Sequence, residues 1–146
     1  MVKAKQHLGQ HILLDETIAQ KNVEAHTEIK QSEDYQNLIR IIELDIESID
    51  YLKNRFPTLS DHIIYGDFLR EDLYYIASDV FHIIGNFPYN ISSQIFFKIL
   101  EHKNRVGSVV CMLQYEVAKR LASPPGNKDY GILSVLLQSF YTLEYL

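Results

Sequence analysis

Four short apolar segments alternate with amphipathic ones along most of this chain, and that alternation leaves few folds open. "IRIIELD" (39–45), "HIIYGDFL" (62–69), "FHIIGN" (81–86) and "VGSVVCMLQ" (106–114) have the length and apolar content of strands. Helical patterns lie around them. "DETIAQKNVEAHTE" (15–28) has Asp15 as a cap and a weak apolar face. "IESIDYLKNRF" (46–56) places Ile46, Ile49, Leu52 and Phe56 on one face and stops at Pro57. "SSQIFFKILEHK" (92–103) opens on a serine cap, and "YEVAKRLAS" (115–123) follows the fourth strand. "PPGNKDYG" (124–131) is a loop, and "ILSVLLQSFYTLEYL" (132–146) reads as a helix or a helix then a strand. Strand–helix–strand alternation predicts an α/β fold with a mainly parallel sheet flanked by helices. "FHIIGN" has no polar residue at its centre, which predicts burial on both faces.

In such sheets a ligand lies beyond the carboxyl ends of the strands. Three of those ends carry polar groups here: Glu43 and Asp45, Asp67, and Asn86. An acid at a strand end of a nucleotide fold can accept from ribose hydroxyls. Glu43 or Asp45 fits, although Asp45 is also placed to cap the helix that follows. Asp67 in "YGDFL" can accept from an adenine amino group or simply close an Asx-turn. Asn86 opens "NFPYN", in which Pro88 fixes its own φ and biases Phe87 toward an extended conformation. The loop is therefore stiff, presents amides and an aromatic face, and suits a planar ligand. A plain Asn-Pro turn with a packed Tyr89 is the competing reading.

Composition limits the alternatives. At 146 residues the chain is long enough for one domain with a real core. No apolar run approaches the ~20 residues of a membrane span, and "MVKAKQHLGQ" lacks an apolar signal core. The single Cys111 lies in an apolar stretch and reads as a core residue, and with no second cysteine the cytoplasm is the expected compartment. A net charge of −5 argues against a general nucleic-acid binder, but residues 31–80 hold eleven acidic and four basic residues while residues 81–146 hold four and six. Any polyanion contact therefore belongs to the N-terminal "KAKQHLGQH" and to the Lys and Arg after residue 97.

Taken together, "KQHLGQHILLDETIAQK", "IIELDIESIDYLK", "IIYGDFL", "IIGNFPYNISSQIFFKIL" and "YGILSVLLQSFYTLEYL" resemble the KsgA family of rRNA adenine N6,N6-dimethyltransferases. "NFPYNIS" is the specific element, because acidic strand ends alone fit any class I methyltransferase. The resemblance implies a Rossmann-like class I fold over residues 1–146, S-adenosylmethionine as methyl donor, no metal, and ribosomal RNA of the small subunit as partner of a monomer. It places His11 and Leu13 at the methyl donor, Glu43 on its ribose and Asp67 near its adenine. Asn86, also close to the donor, would accept from the target adenine amine together with the Phe87 carbonyl. Pro88 would stiffen this pincer and Tyr89 would stack on the extruded base.

The chain departs from the family in two places. Its six glycines provide no Gly-rich turn between "SEDYQNL" and "IRIIELD", and the family's helical C-terminal domain does not follow Leu146. The sequence as written is therefore expected to join two segments across a missing stretch near residues 38–40, or to carry a real deletion there. Two rival readings remain: a non-catalytic RNA-binding assembly factor, and a large-subunit rRNA adenine methyltransferase of the antibiotic-resistance type.

Overall fold

The structure is a computed structural model that describes residues 39–77 and 79–144, which fall in two compact units. The proposed helix over 15–28, the basic N-terminal stretch and the junction at Leu38 lie outside the described residues.

In the first unit, β1 (Ile41–Glu43) pairs in parallel with β2 (Ile63–Tyr65), Ile41 opposite Ile63 and Glu43 opposite Tyr65. A parallel pair needs a crossover. Here it is α1 (Ile46–Arg55) followed by a 3-10 helix (Pro57–His62). Asp45 caps α1 as the sequence suggests: its carboxylate accepts from the Ser48 amide at 3.0 Å and from Ser48 Oγ at 2.9 Å. Pro57 ends α1 and begins the 3-10 turn, which takes up the first residue of the stretch expected to be strand. After β2 a short helix, α2 (Leu73–Ile76), is capped by Asp72 and anchored by Leu73, which is 2% exposed. The sequence pattern did not show α2, since one turn of helix carries no periodicity.

The second unit holds β3 (Phe81–Asn86) and β4 (Val106–Met112), again parallel, joined by α3 (Ser92–Glu101). Ile95, Phe96, Ile99 and Leu100 form the buried face of α3, with Val106, Leu121, Leu133 and Leu137 completing the core. Each such side chain contributes about 1.5–3 kcal/mol on burial. The Ser92 cap is not formed. Ile91 is the capping residue, and Ser92 Oγ instead donates to the Tyr89 carbonyl at 3.3 Å.

Burial of β3 on both faces is also corrected. Phe81, Ile83 and Gly85 are half-buried while His82, Ile84 and Asn86 are exposed. Alternation decides this: Ile84 shares its face with an imidazole and an amide, and such a face is not sealed from water.

Two further helices, α4 (Tyr115–Leu121) and α5 (Ile132–Phe140), pack through polar contacts as well as apolar ones. Ser134 Oγ donates to the Arg120 carbonyl at 2.8 Å, and Gln138 Nε2 donates to the carbonyls of Leu121 at 2.7 Å and Ser123 at 2.9 Å. The Arg120 carbonyl also accepts from the Ser123 amide at 3.2 Å, and the carbonyls of Leu121 and Ser123, at and beyond the end of α4, find their donor in Gln138, one turn along α5 from Ser134. After Phe140 the chain is extended from Tyr141, whose hydroxyl donates to the Val106 carbonyl at 3.3 Å.

Candidate active site

The strand ends of the first unit place two carboxylates. Glu43 Oε1 accepts from the amides of Leu44 and Asp45, both at 2.8 Å, so the carboxylate is held by its own backbone. Oε2 meets no hydrogen-bond partner among the described residues. Because Asp45 takes the capping duty, Glu43 is spared it. The Gly66 amide donates to the Glu43 carbonyl at 3.1 Å, which ties the exit of β2 to the end of β1. A Cβ at Gly66 would meet the Glu71 carboxylate, the movable end of a flexible side chain.

Asp67 forms the Asx-turn that its position allows. Oδ1 accepts from the Leu69 amide at 2.9 Å, and the backbone carbonyl accepts from Arg70 at 2.8 Å and Glu71 at 3.0 Å. Oδ2 faces Arg70 Nε at 3.6 Å, with the Arg70 side chain 88% exposed. An ion pair this open to solvent is worth about 0–1 kcal/mol, so a ligand amine can compete for that oxygen.

The second unit carries "NFPYN". Asn86 ends β3 opposite Met112 and is exposed. The Phe87 amide donates to the Met112 carbonyl at 3.2 Å, and the Phe87 ring turns into the core at 7% exposure. There it meets Phe96 edge-on, centroids 5.6 Å apart. An edge-to-face pair of this kind adds about 0.5–1.5 kcal/mol beyond area burial. With amide and ring both fixed, the Phe87 carbonyl is fixed as well, yet it accepts no hydrogen bond from the described residues. The next two carbonyls are taken: Pro88 accepts from the Ile91 amide at 3.2 Å and Tyr89 from Ser92. Tyr89 is half-buried beside this turn.

The loop thus holds the Phe87 carbonyl in place next to an exposed Asn86. The Phe96 anchor was missed in the sequence, although its place in the apolar run of α3 could have pointed to it.

Cys111, on β4 opposite Gly85, is half-buried rather than part of the core, and burial pushes its thiol up to about 12. No group of three or more His, Cys, Asp or Glu placed to hold a metal occurs among the described residues. None of their helices is long and apolar enough to cross a membrane. His11 and Leu13 lie outside the described residues.

The family model of ribosomal RNA adenine dimethylases matches residues 39–146, and this chain belongs to that family. It is 48% identical to the ribosomal RNA small subunit methyltransferase A of Cytophaga hutchinsonii over 163 residues, covering 99% of this chain and 63% of that protein. The proteins of the same name from Parabacteroides distasonis and Bacteroides thetaiotaomicron are 45% and 43% identical, and the match covers 100% of this chain and 61% of each of them. The chain therefore spans less than two thirds of the length of these relatives.

Proposed function

We propose that this chain is the catalytic part of an enzyme that transfers methyl groups from S-adenosylmethionine to N6 of adenines in small-subunit ribosomal RNA. It would act as a cytoplasmic monomer and without a metal. The observation that carries this reading is the exposed Asn86 amide beside a fixed Phe87 carbonyl that has no donor of its own among the described residues.

Adenine N6 is a weak nucleophile because its lone pair is delocalised into the ring. Two acceptors on its hydrogens, the Asn86 oxygen and the Phe87 carbonyl, favour the pyramidal nitrogen that gains positive charge during transfer. The rest of the task is alignment, so no general base is required. Tyr89 stacks on the base once it has left its helix, which offsets the cost of extrusion by about 1–3 kcal/mol.

The residues present fit the methyl donor in part. Glu43 has an oxygen for a ribose hydroxyl and Asp67 one for an adenine amine, with His11 and Leu13 completing the contacts. S-adenosylmethionine supplies an electrophilic methyl group on sulfur.

The alignment length supports a second proposal. It runs to 163 residues against the 146 of this chain, so at least 17 positions have no counterpart here, and the family match starts at residue 39. The missing positions fall near residues 38–40 and include the Gly-rich donor-binding turn. This shortfall is also what favours the non-catalytic assembly-factor reading for the chain as written.

The test is methylation of small-subunit particles that lack the modification, read by mass spectrometry of the RNA. Methylated adenine formed by the chain with its donor segment restored supports the enzyme reading. Particle binding without any methylation by that restored chain supports the assembly factor.

A further inference from the structure

We propose that Gln114 reads the target base, donating from its side-chain amide to the ring nitrogen beside the reacting amine, N1 or N7. The inference rests on the target-base role proposed for Asn86 and Phe87.

Register puts Gln114 next to them. His82 and Ser108 are register partners whose side chains meet at 2.7 Å, so partners on β3 and β4 share a face. Asn86 and Met112 are partners four residues further along each strand, hence on that same face. Gln114 lies two residues beyond Met112 and is still extended, with φ −59° and ψ 140°, so the alternation carries its side chain to the Asn86 side. It stands at the carboxyl end of β4, one strand over from the pincer.

The side chain has no structural duty. Gln114 is the capping residue of α4, but its amide makes no capping bond, and its backbone carbonyl alone accepts from Val117 and Ala118, each at 3.0 Å. The residue is exposed, and its amide has no hydrogen-bond partner among the described residues. A glutamine amide supplies donors, whereas the pincer as proposed turns only its acceptors, the Asn86 oxygen and the Phe87 carbonyl, to the base. Adenine needs this combination: its amine donates and both neighbouring ring nitrogens accept. Guanine turns O6 toward the pincer, so acceptors would face an acceptor, and where Gln114 reads N1 the guanine N1–H would face a donor.

The test uses the full chain and a short RNA hairpin with one loop adenine, compared with hairpins carrying guanine, 1-deazaadenine or 7-deazaadenine there. Binding is followed by fluorescence anisotropy. Wild type should bind the adenine loop about fivefold to tenfold tighter than one of the two deaza loops, the value of one hydrogen bond. Gln114→Leu should bind those two loops equally. Gln114→Glu, which keeps the length but offers only acceptors at neutral pH, should bind the adenine loop more weakly than Gln114→Leu does. A wild type that prefers adenine to guanine but ignores both deaza changes overturns the role of Gln114 and leaves the target-base reading standing. So does a Gln114→Leu variant that keeps the discrimination. A wild type with no preference for adenine over guanine overturns both.

Discussion

Asn86 and Glu43 are both polar residues at strand ends, yet their surroundings assign them different work. Asn86 is exposed beside the Phe87 carbonyl, which lacks a donor among the described residues, so its removal should be felt by the reacting amine. In the full-length enzyme Asn86→Ala should lower the rate of methyl transfer by about 10²–10³-fold, as loss of a preorganised charge-stabilising group does. Donor affinity should stay nearly unchanged, and an equal loss of donor binding would remove Asn86 from the catalytic role. Glu43 is held by two backbone amides through one oxygen, which leaves the other for a hydroxyl. Glu43→Ala should weaken donor binding by about 1.5–3 kcal/mol, read by calorimetry, before it affects the chemical step. Unaltered affinity would make Glu43 a residue that only shapes the turn after β1.

At the scale of elements, the clip between α4 and α5 and the strand β4 give two further expectations. Gln138→Leu keeps the bulk of the side chain but leaves the carbonyls of Leu121 and Ser123 without their donor. The cost should be about 1–3 kcal/mol, seen as a lower urea midpoint at unchanged slope. On β4, burial holds the Cys111 thiol protonated far above neutral pH, and only the thiolate reacts. A maleimide at pH 8 should therefore label Cys111 only in denaturant, and fast labelling of the folded chain would show that β4 opens.

These elements also mark what was legible beforehand. β3 and β4, α1 with its Asp45 cap and the loop after Asn86 follow from local chemistry: apolar runs, a capping carboxylate, a proline that stiffens its neighbour. What was not legible depends on the partner an atom finds in space. Ser92 chose the Tyr89 carbonyl over its own helix, and Phe87 was recognised for its carbonyl but not for the ring that fixes it on Phe96. Asp67 took the Asx-turn, which the sequence had offered only as the alternative to a ligand role. Gln114 carried no pattern at all, because its interest comes from the register of β3 with β4.

At the scale of the whole molecule, the two parallel pairs differ in how complete they are. β3 and β4 pair over six residues of β3, whereas β1 and β2 are three residues each. Two-stranded sheets are marginal without further strands or helices across them, so the β1–β2 pair is the weaker scaffold. It is also the one that carries Glu43 and Asp67. The family match begins two residues before β1, where the relatives' additional positions are proposed to fall. A parallel strand before β1 would need a crossover of a dozen or more residues, and the missing 17 or more positions are enough for a turn and most of a helix. The chain as written should therefore show no saturable binding of S-adenosylmethionine by calorimetry. Insertion of the corresponding segment of a relative between Leu38 and Ile39 should restore binding and raise the thermal midpoint, since a ligand that binds only the folded state stabilises it. A chain that binds the donor without the insertion would show that Glu43, Asp67 and the residues before them suffice, and would place the missing positions elsewhere.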